Sequence, residues 1–377
     1  GTSMIIGVPR ETHRHEHRVG LTPQAVRRFI HDGHQVVVER SAGIAARFTD
    51  REYEEAGAKI VYSSDEAYKR ADLVCKVGVV SHDELDLLKP GLVVGAFHHL
   101  TVAPRATVNR LREMDVTAIG YELIEDASGH RSILIPFSEM AGQMAVYLAA
   151  YYLQNEVGGR GILLGNVPGI APPTVLILGA GTVGRTAARR AVAIGAHVIV
   201  LDASLQKLRE VSRELEGRVV TQLVSPDRLE SYTRIADVVI GAVLIPGARA
   251  PFLVSEDMVK AMRPGSVIID LSIDQGGCVE TSRPRTPEAP TYVVHDVVHY
   301  CVPNMTANVA RTASRALADA LKAPLAELLE KGVADALRDN PGLAAGTYLY
   351  QGHVTHGPLA AAHDVAVSPL STLLADA

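Results

Sequence analysis

Four polar side chains stand where apolar strand-like runs end or are interrupted, and their types could hold an anion and move a proton. Arg18 lies in HEHRVGLTP, Lys76 ends DLVCKV, His99 follows LVVGAFH, and Asp274 sits in IIDLSIDQGG. Lys and Arg are seldom buried without an anionic partner, and a substrate carboxylate would be one. A histidine, with an ordinary pKa of about 6.5, and a carboxylate could then carry protons at the same site. A plainer reading stays open for each. Arg18 and Lys76 could pair with acids such as Glu11 and Glu122, His99 could be a core histidine beside the equally plausible His98, and Asp274 could cap a turn.

A second signature is GAGTVG, residues 179–184, in TVLILGAGTVGRTAARRAVAIGAHVIVLD. VLIL reads as a strand, and Gly179, Gly181 and Gly184 take the glycine positions with Thr182 and Val183 between them. RTAARRAVAIGA continues as a helix, and HVIVLD ends on Asp202. The glycines permit a tight turn and close backbone approach, the helix N-terminus attracts pyrophosphate, and an acid closing the second strand can bind ribose hydroxyls. The carboxylate of Asp202 would repel a 2′-phosphate, and no Arg or Lys follows at once in DASLQ, so NAD is expected over NADP. The alternative makes Asp202 a solvated strand end or a helix cap.

These residues need elements to position them. MIIGVP, HQVVVE, DLVCKVG, LVVGAF and VTAIGYEL read as strands, separated by the helical stretches TPQAVRRFIHDG, DREYEEAGA and PRATVNRLREM. Such alternation predicts parallel βαβ units whose functional loops gather at the strands' carboxyl ends. SEMAGQMAVYLAAYYLQNE reads as a connecting helix with a capping-type start at Ser138. A second alternating region runs from TVLILG through ADVVIGAV and SVIIDLS to TYVVHDVVHY, and a long helix through NVARTASRALADALKAPLAELLEKG follows. The expected fold class is α/β, with two Rossmann-like, doubly wound parallel-sheet domains separated by an active-site cleft. Residues 4–132 plus 305–377 would form the substrate domain and 133–304 the nucleotide domain.

Composition narrows the partners. In 377 residues, 37 Lys and Arg face 42 Asp and Glu, a formal net charge of −5, so no sequence-wide basic field exists for nucleic acid or an anionic membrane. Cys75, Cys278 and Cys301 have no CxxC spacing, which argues against a disulfide framework or a metal site and fits a cytoplasmic location. No apolar run approaches the roughly 18 residues of a membrane span.

Longer motifs are more specific than the glycine loop. GVPRET with HRVGLTP, GYELI, SEMAGQMA, GGRGILLGNVPGIAP, LGAGTVG, GAVLIPGARAP, SIDQGGC, ETSRP and VVHYCVPNM resemble the L-alanine dehydrogenase family along nearly all of residues 4–360. The resemblance implies NAD-dependent interconversion of L-alanine with pyruvate and ammonia. It also implies a nucleotide domain inserted into the substrate domain, and a homo-oligomer, typically a hexamer. By the same resemblance, Arg18 and Lys76 would bind the substrate's carboxylate and oxo group, His99 would be the acid/base, and Asp274 would assist proton transfer and help bind the carbinolamine. Ser138, Gly181, Asp202, Ser225 and Asn304 fall where the family contacts NAD.

The chain departs from the family's pattern near the substrate. It reads Lys76-Val77-Gly78-Val79-Val80 where K-V-K-E-P is usual, Phe97-His98 where Tyr-Leu is common, and Thr306 to Thr312 (TANVART) where P-G-A-V-P-R-T is common. Cofactor and reaction class therefore carry over better than substrate identity. A related dehydrogenase for another amino or 2-oxo acid, and a transhydrogenase-like NAD-binding subunit, are the competing expectations.

Overall fold

The computed structural model describes residues 3–245 and 250–375. Residues 246–249, within GAVLIPGARAP, lie outside the described residues. The chain divides into two compact units, residues 1–137 with 306–377, and residues 138–305.

In the first unit β1 (Ile5–Val8), α1 (Pro23–His31), β2 (Gln35–Glu39), α2 (Asp50–Glu55), β3 (Lys59–Val61), α3 (Ser64–Arg70) and β4 (Leu73–Cys75) alternate as the sequence pattern requires. They continue through β5 (Val93–Ala96), α4 (Arg105–Glu113) and β6 (Thr117–Gly120). Local chemistry starts the helices. Thr22 accepts from Ala25 N ahead of Pro23 in α1, Thr49 and Glu52 form a reciprocal capping box on α2, and Ser63 caps α3.

The helix α5 (Ile135–Tyr152) begins three residues before Ser138, so Ser138 is a first-turn residue and not the cap its type suggested. In the second unit follow β7 (Thr174–Leu178), α6 (Thr182–Ala193), β8 (His197–Asp202), α7 (Leu205–Glu214), β9 (Val220–Leu223) and α8 (Pro226–Ile235). β10 (Val238–Gly241), α9 (Glu256–Lys260), β11 (Val267–Asp270), β12 (Thr291–Val294) and β13 (Val297–Tyr300) complete it. Alternate residues of β7 go to opposite faces: Val175 and Ile177 join one apolar cluster, Leu176 and Leu178 another. That two-sided burial is why its sequence reads as continuous apolar residues.

The chain then returns to the first unit with α10 (Ala310–Lys331), α11 (Val333–Asp339), α12 (Pro341–Ala345), β14 (Thr347–Tyr350), β15 (His353–Val354), α13 (Gly357–Ala362) and α14 (Leu370–Ala375). β14 pairs antiparallel with β6 and with β15, an extension of the sheet that the sequence pattern does not reveal. The final helix is docked through buried Leu374, whose carbonyl accepts from Arg338 Nη2 at 2.8 Å.

The strand orders are β15-β14-β6-β5-β4-β1-β2-β3 and β12-β13-β11-β10-β7-β8-β9. Each sheet therefore reverses its winding once, between β1 and β4 in the first unit and between β7 and β10 in the second. In doubly wound sheets ligands bind beyond the strands' carboxyl ends at that reversal.

Candidate active site

In the first unit the three expected residues leave the carboxyl ends of three neighbouring strands, Arg18 after β1, Lys76 after β4 and His99 after β5. Arg18 is buried and pairs with Glu16. Its Nη2 lies 2.6 Å from Glu16 Oε1, Nε donates to Oε2 at 2.9 Å, and Nη1 donates to Thr306 Oγ1 at 3.1 Å. With the guanidinium 5.7 Å from the centre of the Phe137 ring, its plane is fixed from several directions.

Lys76, 1% exposed, lies between two buried carboxylates, with Nζ 3.2 Å from Glu11 Oε2 and 3.0 Å from Glu84 Oε2. Glu84 also accepts from Tyr68 Oη at 2.5 Å, and Glu11 accepts from the Gly78 amide at 2.7 Å. A Cβ on Gly78 would sit 3.3 Å from Glu11 Oε1 and 3.9 Å from Glu16 Oε1, so the Glu11–Lys76 and Glu16–Arg18 pairs flank the same glycine. Burial alone would lower the Lys76 pKa, but Glu11 and Glu84 outweigh it and hold the ammonium above the ordinary lysine value. Burial also raises the Glu11 carboxyl, with Lys76 unable to reverse it, whereas at Glu84 the pull of Lys76 and Tyr68 overcomes burial and lowers it.

The two adjacent histidines separate cleanly. His98 is fully buried, its Nε2 2.9 Å from Val94 O, and burial lowers its pKa and keeps it neutral. The His99 side chain is 57% exposed, and the residue adopts φ +45° and ψ +45°, the left-handed region. His98 is thus the core histidine, and His99 the one that can meet a solute.

In the second unit the glycine loop joins β7 to α6. An added Cβ at Gly179 would lie 2.5 Å from Ala242 O, and one at Gly184 would lie 1.8 Å from Gly179 O, whereas one at Gly181 would meet nothing within 4 Å. The first and third glycines serve close packing, and the second leaves open space at the N-terminus of α6, where a pyrophosphate would fit. A cavity of about 400 Å³ is lined by Ser138, Gly179, Gly181, Thr182, Val183 and Asp202, among others. Asp202 accepts from Ala180 N and Ser204 N, both at 2.7 Å, which fixes its carboxylate at the end of β8.

Other expected nucleotide residues lie elsewhere. Ser225 caps α8 by accepting from Arg228 N and is absent from that cavity's lining. The Asn304 backbone N–H donates to Asp274 Oδ1 at 3.0 Å, which puts those two residues side by side beyond β13 and β11. The cap at the Asp274 turn is a different residue: Asp270 accepts from Ser272 N and Cys278 N and from Ser282 Oγ at 2.6 Å. The cavity is also lined by Lys207, on α7, which in sequence is the residue directly after DASLQ.

Two doubly wound units, one carrying a glycine-loop cavity closed by an acidic strand end, define the class of two-domain dinucleotide-dependent oxidoreductases. Residues 7–142 match the family model "Alanine dehydrogenase/PNT, N-terminal domain" and residues 145–357 match "Alanine dehydrogenase/PNT, C-terminal domain". The chain belongs to this family and is an amino-acid dehydrogenase. It is 43% identical over 349 residues to an alanine dehydrogenase of Mycobacterium tuberculosis, covering 93% of this chain and 94% of that one. An alanine dehydrogenase of Methanococcus maripaludis is 40% identical over 372 residues, covering 98% and 100%. A solved L-alanine dehydrogenase superposes with a TM-score of 0.92 at 40% identity, covering 96% and 99%. A transhydrogenase from Sinorhizobium meliloti gives 0.80 at 26% identity, covering 94% and 99%. Among the described residues no helix is long and apolar enough to cross a membrane.

Proposed function

We propose that the protein interconverts L-alanine and NAD with pyruvate, ammonia and NADH. The observation that carries this reading is the row Arg18, Lys76 and His99 beyond β1, β4 and β5, at the winding reversal, in a chain that matches alanine dehydrogenases over nearly its full length. The nicotinamide would supply the acceptor for the hydride that leaves the substrate's Cα. The glycine loop would seat the pyrophosphate over Gly181, and Asp202 would bind the ribose hydroxyls.

The chain's own residues then have distinct tasks. Arg18, locked by Glu16 and Thr306, and Lys76, locked by Glu11 and Glu84, would present two immobile cations to the substrate's carboxylate and oxo oxygen. That pre-organisation aligns the reacting carbon and stabilises negative charge that develops on oxygen. In the oxidative direction the amine must be neutral before the imine forms; water then adds, and ammonia leaves from the carbinolamine. His99 would take and return the protons of those steps, with Asp274 as the second proton-transfer group.

Two substitutions separate binding from chemistry. Arg18→Ala is expected to raise the KM for pyruvate about 10- to 100-fold, the loss of a charge-assisted hydrogen bond, with a smaller change in kcat. Asp202→Ala is expected to weaken NAD and narrow its preference over NADP by about tenfold, since Lys207 then faces a 2′-phosphate unopposed by the acid. Unchanged affinities for both nucleotides in equilibrium titrations would remove Asp202 from the ribose site.

The deciding assay follows NADH absorbance with pyruvate plus ammonia, beside a panel of other 2-oxo acids plus ammonia. Turnover on pyruvate at least as fast as on the rest supports the proposal. The bare Gly78, with its amide held by Glu11 where the family carries a lysine, favours a related acid as the second reading. Preference for that acid, or silence across the panel with NAD still bound, overturns alanine as the substrate.

A further inference from the structure

Glu122 lies just past β6 in the one-turn segment Tyr121–Leu123, 6% exposed, and nothing in the reaction described above uses it. Its carboxylate nevertheless gathers four groups. Oε1 accepts from His98 N at 3.2 Å; Oε2 accepts from His99 N at 2.8 Å and from Tyr348 Oη at 3.0 Å, and lies 3.5 Å from His99 Nδ1. Two consecutive backbone N–H groups thus converge on one carboxylate at the point where the chain turns left-handed.

A non-glycine residue in that region is strained and persists only when its surroundings over-determine it. Here the determinants are visible. Glu122 takes the amides of both histidines, and the Val94 carbonyl takes the His98 ring. Tyr348, arriving on β14 from 226 residues further along the chain, anchors Glu122 in turn. Gly120 makes room for it: a Cβ there would lie 2.3 Å from the Tyr348 ring.

The carboxylate also bears on the ring. An imidazole with an acceptor beside Nδ1 keeps its proton there, which leaves Nε2 as the exchanging nitrogen. We propose that Glu122, held by Tyr348, is a positioning residue that sets both the turn and the ring tautomer of His99. The proposal rests on His99 as the proton carrier, but its structural half can be read without turnover.

The experiment is histidine-selective ¹⁵N NMR of the full chain, with His99 assigned by His99→Gln, on wild type, Glu122→Gln and Tyr348→Phe. Neutral His99 is expected to be the Nδ1-H form in wild type and a tautomer mixture in Glu122→Gln. An unchanged tautomer ratio in a folded Glu122→Gln overturns the inference. Should that variant fail to fold, Tyr348→Phe, which removes one oxygen, is expected to shift the ratio part way, and no shift overturns the inference equally. In NADH oxidation, Glu122→Gln is expected to lose about 10- to 100-fold in kcat with the pyruvate KM and NAD affinity within twofold, the pattern of lost orientation rather than lost binding. Wild-type kcat in this variant also overturns the inference. Wild type that is itself silent across the oxo-acid panel sinks the proposed function, while the tautomer measurement still decides the role of Glu122.

Discussion

His99→Ala is expected to lower kcat for reductive amination by about 10²- to 10⁴-fold, the span usual for a general acid–base group, and to leave NAD affinity unchanged. The expectation follows from placement. His99 is the exposed member of the pair His98–His99, whereas the nucleotide cavity is built from residues 138–305 alone. Removing the imidazole would take away the proposed proton carrier and leave the residues that line the glycine-loop cavity unchanged. Stopped-flow turnover together with an equilibrium NAD titration checks both halves. Turnover within threefold of wild type would assign the proton transfers to another group. His98→Leu is the useful contrast, because its ring is buried and neutral, and it is expected to alter stability more than kcat.

Lys76→Met should strongly destabilise the folded state. The methionine keeps much of the side chain's length but leaves Glu11 and Glu84 facing each other without a cation, both almost fully buried. Breaking a buried ion pair from one side costs about 3–5 kcal/mol, mostly the penalty of an uncompensated charge. Urea unfolding at neutral pH measures it. Adding Glu84→Gln to Lys76→Met should recover part of the loss, since contacting residues are not additive. The Glu84 contribution has a definite sign with pH. Lys76 holds Glu84 below its ordinary pKa, so this contribution is present above the ordinary carboxylate range and fades as pH falls through the Glu84 folded value. A loss under about 1 kcal/mol at neutral pH would mean that the cluster carries no net ionic stabilisation.

The sequence made some of this legible and hid the rest for physical reasons. Strands such as Val175–Leu178 are buried on both faces and announce themselves as apolar runs, and the glycine loop is visible because only glycine tolerates the approach of Gly184 to Gly179 O. Lys76 and His99 stand out because each closes such a run, and Arg18 because it stands directly before the apolar VGL. Their partners do not. Glu16 is two residues from Arg18 in a polar stretch of no fixed period, and Glu84 reaches Lys76 only through a 3₁₀ turn at Asp83–Leu87. The choice between His98 and His99 hangs on one left-handed residue that no pattern marks. β14, four residues long after an Ala-rich helical stretch, gives too short a signal to be read as a strand, and with it Tyr348 escapes notice.

That late strand has a consequence for the order in which the molecule can be made. The unit 138–305 is continuous and can fold as soon as its own residues leave the ribosome, because domains fold as units during synthesis. The other unit must wait: β6 gains its antiparallel neighbour, and Glu122 its tyrosine, only after residue 350 has emerged. Until then the β6 side of that sheet would lack its partner strand, an unpaired edge of the kind that other chains can pair with. Translation time between residues 137 and 350 is thus an interval of exposure, and the return of the C-terminal segment ends it.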